Sequence, residues 1–179
     1  MRIIGGECKG KHIVPDNRLI LRPTTDFAKE GLFNILSNRY ELSSFDVLDL
    51  FSGTGSISYE FASRGCMNIH AVEIEPRHAA YIRNTAAKYG FNQLRVIRDD
   101  IFHFLSICMQ KYDIIFADPP YDMPRIEELP GLILGKDIFK PGGLFILEHS
   151  KKNDFTKNEH LVDHRYYGNV HFSFFRREL

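Results

Sequence analysis

No stretch of this chain stays apolar for the roughly 18 residues that a membrane-spanning helix needs. The N-terminal MRIIGGECKGK also lacks the apolar core of a secretory signal peptide. Cysteine is scarce: Cys8, Cys66 and Cys108 are widely spaced, odd in number and form no CxxC, which favours reduced thiols over a disulfide framework or a zinc site. These absences point to the cytoplasm. No repeat, low-complexity segment or Ser/Gly linker divides the 179 residues, so a single domain over 1–179 is expected. Net charge is missing too, with Lys+Arg 23 against Asp+Glu 23, which speaks against gripping nucleic acid by bulk electrostatics. Its distribution is less even: Arg2, Lys9, Lys11, Arg18 and Arg22 outnumber Glu7 and Asp16 over residues 1–22. What remains, 44% hydrophobic and 26% charged, is an ordinary globular composition.

The chain does have alternation. RIIGGECKGKHIVP sets two short β-branched runs around a Gly/Lys-rich turn and predicts a hairpin. In RPTTDFAKEGLFNIL, Thr24 or Thr25 can cap a helix, and Phe27, Leu32, Phe33 and Leu36 recur at helical spacing, predicting a helix over 25–38. From residue 45 strands and helices take turns. FDVLDLF (45–51) is followed by the helix SISYEFASRG closed by Gly65, then the strand NIHAVEI and a helix running from Pro76 to Gly90. The strand LRVIRD, the helix IFHFLSICMQ, the strand YDIIFAD and a helix around 125–139 come next. After the turn KPGG, GLFILEHS is a fifth strand. Such a pattern implies an α/β fold with a doubly wound, mostly parallel sheet. VHFSFFRREL follows Tyr167-Gly168-Asn169 without a spacer long enough for a crossover helix, so it should be antiparallel.

The first strand–helix junction reads DLFSGTGS. Gly53 and Gly55 let backbone approach a ligand beside a helix N-terminus. Glu73 ends the second strand about 20 residues after Gly53, where doubly wound folds place an acid for ribose hydroxyls. Asp100 ends the third, where a carboxylate can meet the exocyclic amine of adenine. Phe51 stands where a dinucleotide fingerprint has its first glycine, Ser58 where it has its third, and no GK[ST] follows. A pyrophosphate is therefore not the expected ligand. S-adenosylmethionine fits: adenine, ribose, and a zwitterionic tail near Asp49 and the glycine loop.

The fourth strand leaves through FADPPYDMP. Consecutive prolines fix φ and restrict the residue before them. The Asp118 carboxylate and the Pro119 carbonyl can take the two hydrogens of an aromatic amine, and Tyr121 offers a stacking face worth on the order of 1–3 kcal/mol. DLFSGTG, the two strand-end acids and DPPY resemble, in that order, class I methyltransferases acting on exocyclic amines of bases. With RIIGGECKGKHI and RPTTDFAKEGLFNIL, nearly the whole chain resembles the RsmD family, which methylates a guanine 2-amino group in 16S ribosomal RNA.

The resemblance implies a Rossmann-like seven-stranded sheet with an antiparallel last strand, in which 41–179 form the cofactor-binding core and 1–40 an N-terminal hairpin-and-helix extension. It implies Asp118, Pro119, Pro120 and Tyr121 as catalytic residues. Asp49, Phe51, Ser52, Gly53, Gly55, Glu73, Ile74, Asp100, Ile101, Arg22 and Thr24 would hold S-adenosylmethionine and its product S-adenosylhomocysteine. Arg2, Lys9, Lys11, Lys29 and Tyr121 would meet the RNA, as free 16S rRNA or an assembling 30S particle, with the enzyme a monomer and no membrane or metal involved. His160 and His164 have HxxxH spacing, but in extended chain they lie roughly 13 Å apart, too far for one ion. Phe172, Phe174 and Phe175 read as sheet packing, and His149 as a locally satisfied histidine. The alternatives are a DNA adenine or cytosine amino-methyltransferase and a non-catalytic RNA-binding module. A protein-glutamine methyltransferase typically has Asn where Asp118 stands, and a small-molecule methyltransferase has no need of DPPY.

Overall fold

The computed structural model describes residues 1–14 and 24–176. Seven strands form one sheet: β1 (Asp46–Leu50), β2 (Asn68–Val72), β3 (Leu94–Ile97), β4 (Tyr112–Ala117), β5 (Phe139–His149), β6 (Leu161–Tyr167) and β7 (Val170–Phe175). Their order is β3-β2-β1-β4-β5-β7-β6. The pairs from β3 to β5 are parallel, and β7 is antiparallel to both β5 and β6. The helices are α1 (Asp26–Arg39), α2 (Ser56–Ser63), α3 (Pro76–Tyr89), α4 (Ile101–Ile107) and α5 (Leu129–Leu134).

Strand alternation splits the interior into two layers. Val47, Ile69, Ala71, Ile114, Phe116 and Ile146 face one side, where Leu32, Phe33 and Leu36 of α1, Ile57 and Phe61 of α2, and Ile82 and Ala86 of α3 cover them. Leu48, Leu50, Ile115, Ala117, Phe145 and Leu147 face the other, against Phe104 and Leu105 of α4 and Leu129 and Ile133 of α5. Phe172 and Phe174 pack on the first side and Phe175 on the second, as sheet-packing residues do.

Three elements differ from the sequence expectation. The helix expected around 125–139 shrinks to α5 after a 3-10 turn at Ile126–Glu128, because Pro130 and Gly131 sit in its first turns and Gly135 ends it. KPGG lies inside β5: Tyr112 pairs with Phe139 and Ile114 with Leu144, so the irregularity absorbs the turn, with Gly142 at φ 76°. On α1, Phe27 is 67% exposed while Lys29 is buried in the row of Ala28, Leu32, Phe33 and Leu36. Periodicity cannot foresee that a lysine has buried partners.

The N-terminal segment is a hairpin with an Arg2–His12 bridge. Glu60 of α2 accepts from the Ile4 and Gly5 amides at 2.9 and 2.8 Å, and Ser63 Oγ accepts from Cys8 at 2.9 Å. Thr25 caps α1, accepting from the Ala28 amide at 3.2 Å. All three cysteines are free, and burial pushes the Cys66 thiol up to about 12.

Candidate active site

The carboxyl ends of β1, β2, β4 and β5 form one edge, and period-two alternation decides what they present there. Asp49, Glu73, Asp118 and Glu148 each lie two residues beyond a member of the first core layer (Val47, Ala71, Phe116 and Ile146). On four adjacent strands they make a row of acids on one face.

After Leu50 the chain turns sharply. Phe51 has φ 59°, a left-handed conformation unusual for a bulky residue, where the dinucleotide fingerprint would have glycine. Ser52 Oγ donates to the carbonyls of Asp49 at 2.7 Å and Val72 at 3.2 Å, tying the loop to both strands. Gly55 opens α2 at φ 80°, and a Cβ there would stand 2.8 Å from the Tyr59 hydroxyl. Glu73, buried, accepts from the Gly53 amide at 2.7 Å and the Glu75 amide at 2.8 Å, so the strand-end acid shapes the glycine loop directly. Asp49 is 1% exposed and accepts a short hydrogen bond from Ser58 Oγ. Burial, countered by Ser58 and Ser52 and reinforced by Glu73, lifts its carboxyl to about 7.

At the third strand end Asp100 is exposed and caps α4, its Oδ1 accepting from Phe102 and His103 at 2.9 and 3.1 Å. Ile74 and Phe102 are large apolar residues left exposed at this end, whereas Ile101 is buried in the core beneath. Ile101 therefore shapes the floor rather than offering a surface.

Asp118 is half-buried and hemmed in; its amide donates to the Leu50 carbonyl at 3.4 Å. Burial, then Glu148, then Asp49 drive its carboxyl well above the ordinary range. Pro119 is buried and Pro120 exposed. Tyr121 is 46% exposed and its hydroxyl donates to Glu148 Oε1 at 3.2 Å. Thr24 Oγ1 donates to Glu148 Oε2 at 2.7 Å. Glu148 is 2% exposed, and burial raises it to about 7 against the pull of both hydroxyls. Thr24, expected at the cofactor, thus holds a carboxylate that sequence reading passed over, though a strand-end acid in GLFILEHS was the available signal.

The basic candidates separate. Lys9 and Lys11 are exposed on the hairpin turn, Lys11 lying 5.4 Å from the Tyr89 ring centre. Arg2 is exposed beside Asp26. Lys29 is corrected to a structural role: it is 1% exposed, and Nζ donates to the Arg2 carbonyl at 2.6 Å and Ser56 Oγ at 3.2 Å, with Glu60 at 3.9 Å. It has no surface to give a phosphate. Arg22 lies outside the described residues. His149 is locally satisfied, Nδ1 to the Ser150 carbonyl and Nε2 to Ser173 Oγ, and burial lowers it to about 4. His160 lies by Glu159 and His164 by His171.

The family model described as conserved hypothetical protein 95 matches residues 1–176. The chain is 30% identical over 148 residues to the ribosomal RNA small subunit methyltransferase D of a Buchnera aphidicola strain, covering 83% of this chain and 75% of that one. It is 28% identical over 182 residues to the Escherichia coli protein of the same name, covering 99% and 90%. A solved structure of a hypothetical protein from Thermus thermophilus matches with a TM-score of 0.87 at 26% identity, over 99% of each chain. The chain belongs to the conserved hypothetical protein 95 family, the RsmD family of methyltransferases that its motifs resemble.

Proposed function

We propose that this protein transfers a methyl group from S-adenosylmethionine to the 2-amino group of a guanine in 16S rRNA, free or in the assembling 30S particle, in the bacterial cytoplasm. The observation that carries the reading is Asp118: a carboxylate on a proline-stiffened turn, in a row with the buried Asp49, Glu73 and Glu148 beside a glycine loop. The relatives' names favour RNA over duplex DNA.

The donor set suits this cofactor. Asp49 and Asp118 are crowded by burial and by neighbouring acids, so the edge calls for positive charge. A sulfonium and an ammonium answer that need, and a pyrophosphate would aggravate it. Glu73 and Asp100 would hold ribose and adenine, Ile74 would pack on the adenine, and Asp49 with the Phe51–Gly55 loop would hold the amino-acid end. Bound there, the cofactor supplies an electrophilic methyl group. Asp118 and the Pro119 carbonyl orient the amine by accepting its hydrogens, and Tyr121 stacks on the base, which must be unpaired or flipped out to arrive. The raised Asp118 carboxyl is also suited to take the proton that the methylated nitrogen loses.

Residues 1–40 act with the core as one unit on this reading, the hairpin's Lys9 and Lys11 contacting RNA backbone. The test is methyl incorporation into rRNA or 30S particles from a strain lacking the gene. Label in guanine N2 of 16S rRNA is expected. Label in duplex DNA, or no binding of S-adenosylmethionine at millimolar concentration by calorimetry, would overturn the proposal.

A further inference from the structure

Beyond the base site, the antiparallel edge of the sheet carries a cluster of rings. Tyr166 and His171 are 5.7 Å apart at 28°, and His171, His164 and His149 form a triangle with centroids 5.2, 5.9 and 5.6 Å apart. The inner end is anchored, because His149 is 1% exposed and meets Phe155 edge-on at 4.9 Å. The His164 and His171 rings are joined by a 3.0 Å hydrogen bond, which fixes the middle. The outer end is Tyr166, 69% exposed on β6, the strand that closes the sheet on this side. A rigid aromatic cluster thus presents a bare phenol at its outer side.

Its position relates it to the proposed base site. Tyr166 pairs with His171 across β6 and β7, and His171 pairs with His149 across β7 and β5. Glu148, which accepts from Tyr121, is the residue before His149, so Tyr166 shares its sheet edge but stands on the opposite face. Two strand spacings, about 10 Å, separate the backbone at Tyr166 from the Glu148 end. A single strand joining the two must round that edge. The surroundings favour a polyanion. Lys151 and Lys152 are exposed just past His149, and Lys151 lies near enough to His171 to oppose its protonation. Asp154 also lies near His164, but its carboxylate is engaged by the Thr156 amide at 2.9 Å. Asp163, on the other face of β6, is engaged by Arg39 and Arg165.

We propose that Tyr166 is a stacking platform for an unpaired base of the substrate RNA beyond the methylated guanine, where the strand rounds the sheet edge, with Lys151 and Lys152 holding the intervening backbone. This rests on the RNA reading above and names where the strand lies beyond the reacting base. Aromatic stacking accepts any base, so the platform adds affinity and register rather than sequence choice.

The chain has no tryptophan, so Tyr166→Trp installs a single fluorescent indole at the platform. Protein-free 16S rRNA should quench its emission, with a midpoint that weakens as salt rises. Tyr166→Ala should raise KM for rRNA about fivefold or more, the low end for one lost base stack, with kcat and S-adenosylmethionine affinity unchanged. Tyr166→Phe, which keeps the ring, should restore the native KM. An indole indifferent to rRNA, or an unchanged KM for Tyr166→Ala, would overturn the proposal. So would quenching by intact 30S particles alone, which would assign the platform to a ribosomal protein. Quenching by rRNA without methyl transfer to any RNA would leave the platform standing and sink the catalytic reading.

Discussion

Asparagine at position 49 would keep the side-chain shape and an acceptor for Ser58 Oγ while removing a buried charge. Asp49 is 1% exposed, and its carboxyl is lifted from 3.8 to about 7, chiefly by burial. An acid whose folded pKa lies above its unfolded value holds its proton more tightly when folded. Its contribution to stability is therefore full below about pH 4 and is lost as pH rises through about 7. A gap of about three units at about 1.36 kcal/mol each amounts to about 4 kcal/mol lost at pH 8, and about 2 kcal/mol at pH 5. Asp49→Asn should therefore stabilise the ligand-free protein in urea unfolding by up to ~4 kcal/mol at pH 8, and by about half that at pH 5. Relaxation around the ion makes these figures ceilings. The same variant should bind S-adenosylmethionine at least tenfold more weakly by calorimetry, a trade of function against stability. An equal gain at both pH values would assign the effect to packing. A loss of stability at pH 8 would refute the idea that burying the Asp49 charge costs the fold stability.

Asp118→Ala should abolish methyl transfer with cofactor affinity within a few-fold of native, and a tenfold loss of affinity would place Asp118 on the cofactor instead of the base. Glu148→Gln keeps one acceptor oxygen, turns a donor amide toward the other of the Tyr121 and Thr24 hydroxyls, and removes a charge that raises Asp118. The acid limb of its kcat–pH profile should shift to lower pH, and an unmoved limb would mean that Asp118 does not titrate in turnover. Lys29→Met strands the Arg2 carbonyl and weakens the neutralisation of buried Glu60, leaving Arg64 at 3.0 Å. A loss of about 3 kcal/mol in urea unfolding is expected, and less than 1 kcal/mol would show the buried ammonium to be dispensable.

Elements announced by their ends were legible in the sequence. Pro76 and Gly90 bracket α3, Gly65 follows α2 at φ 83°, and Thr25 caps α1, since each residue type does there what few others can. Illegible features depend on distant partners. Lys29 looks like a surface cation until Arg2, Ser56 and Glu60 are brought around it, and Phe27 looks like core yet stays 67% exposed, with Tyr167 edge-on at 5.5 Å. KPGG reads as a turn by local chemistry, yet β4 draws it into the ladder of β5.

The site was half legible for a related reason. Asp49, Glu73, Asp100 and Asp118 could be found one by one, because strand ends in a doubly wound sheet share one edge. Glu148 belongs with them by the same rule, but its importance lies in being next to Asp118, and adjacency follows from strand order. The order β2-β1-β4-β5 converts acids far apart in sequence into a row, and alternation puts them on one face. Like charges on strands about 5 Å apart repel by about 3 kcal/mol at an effective dielectric of 20. A helix cap or solvated acid lies outside such a row, as Asp100, exposed and capping α4, illustrates. The row is therefore what sets this edge apart from a set of isolated strand-terminal carboxylates, and it exists only once the sheet is ordered.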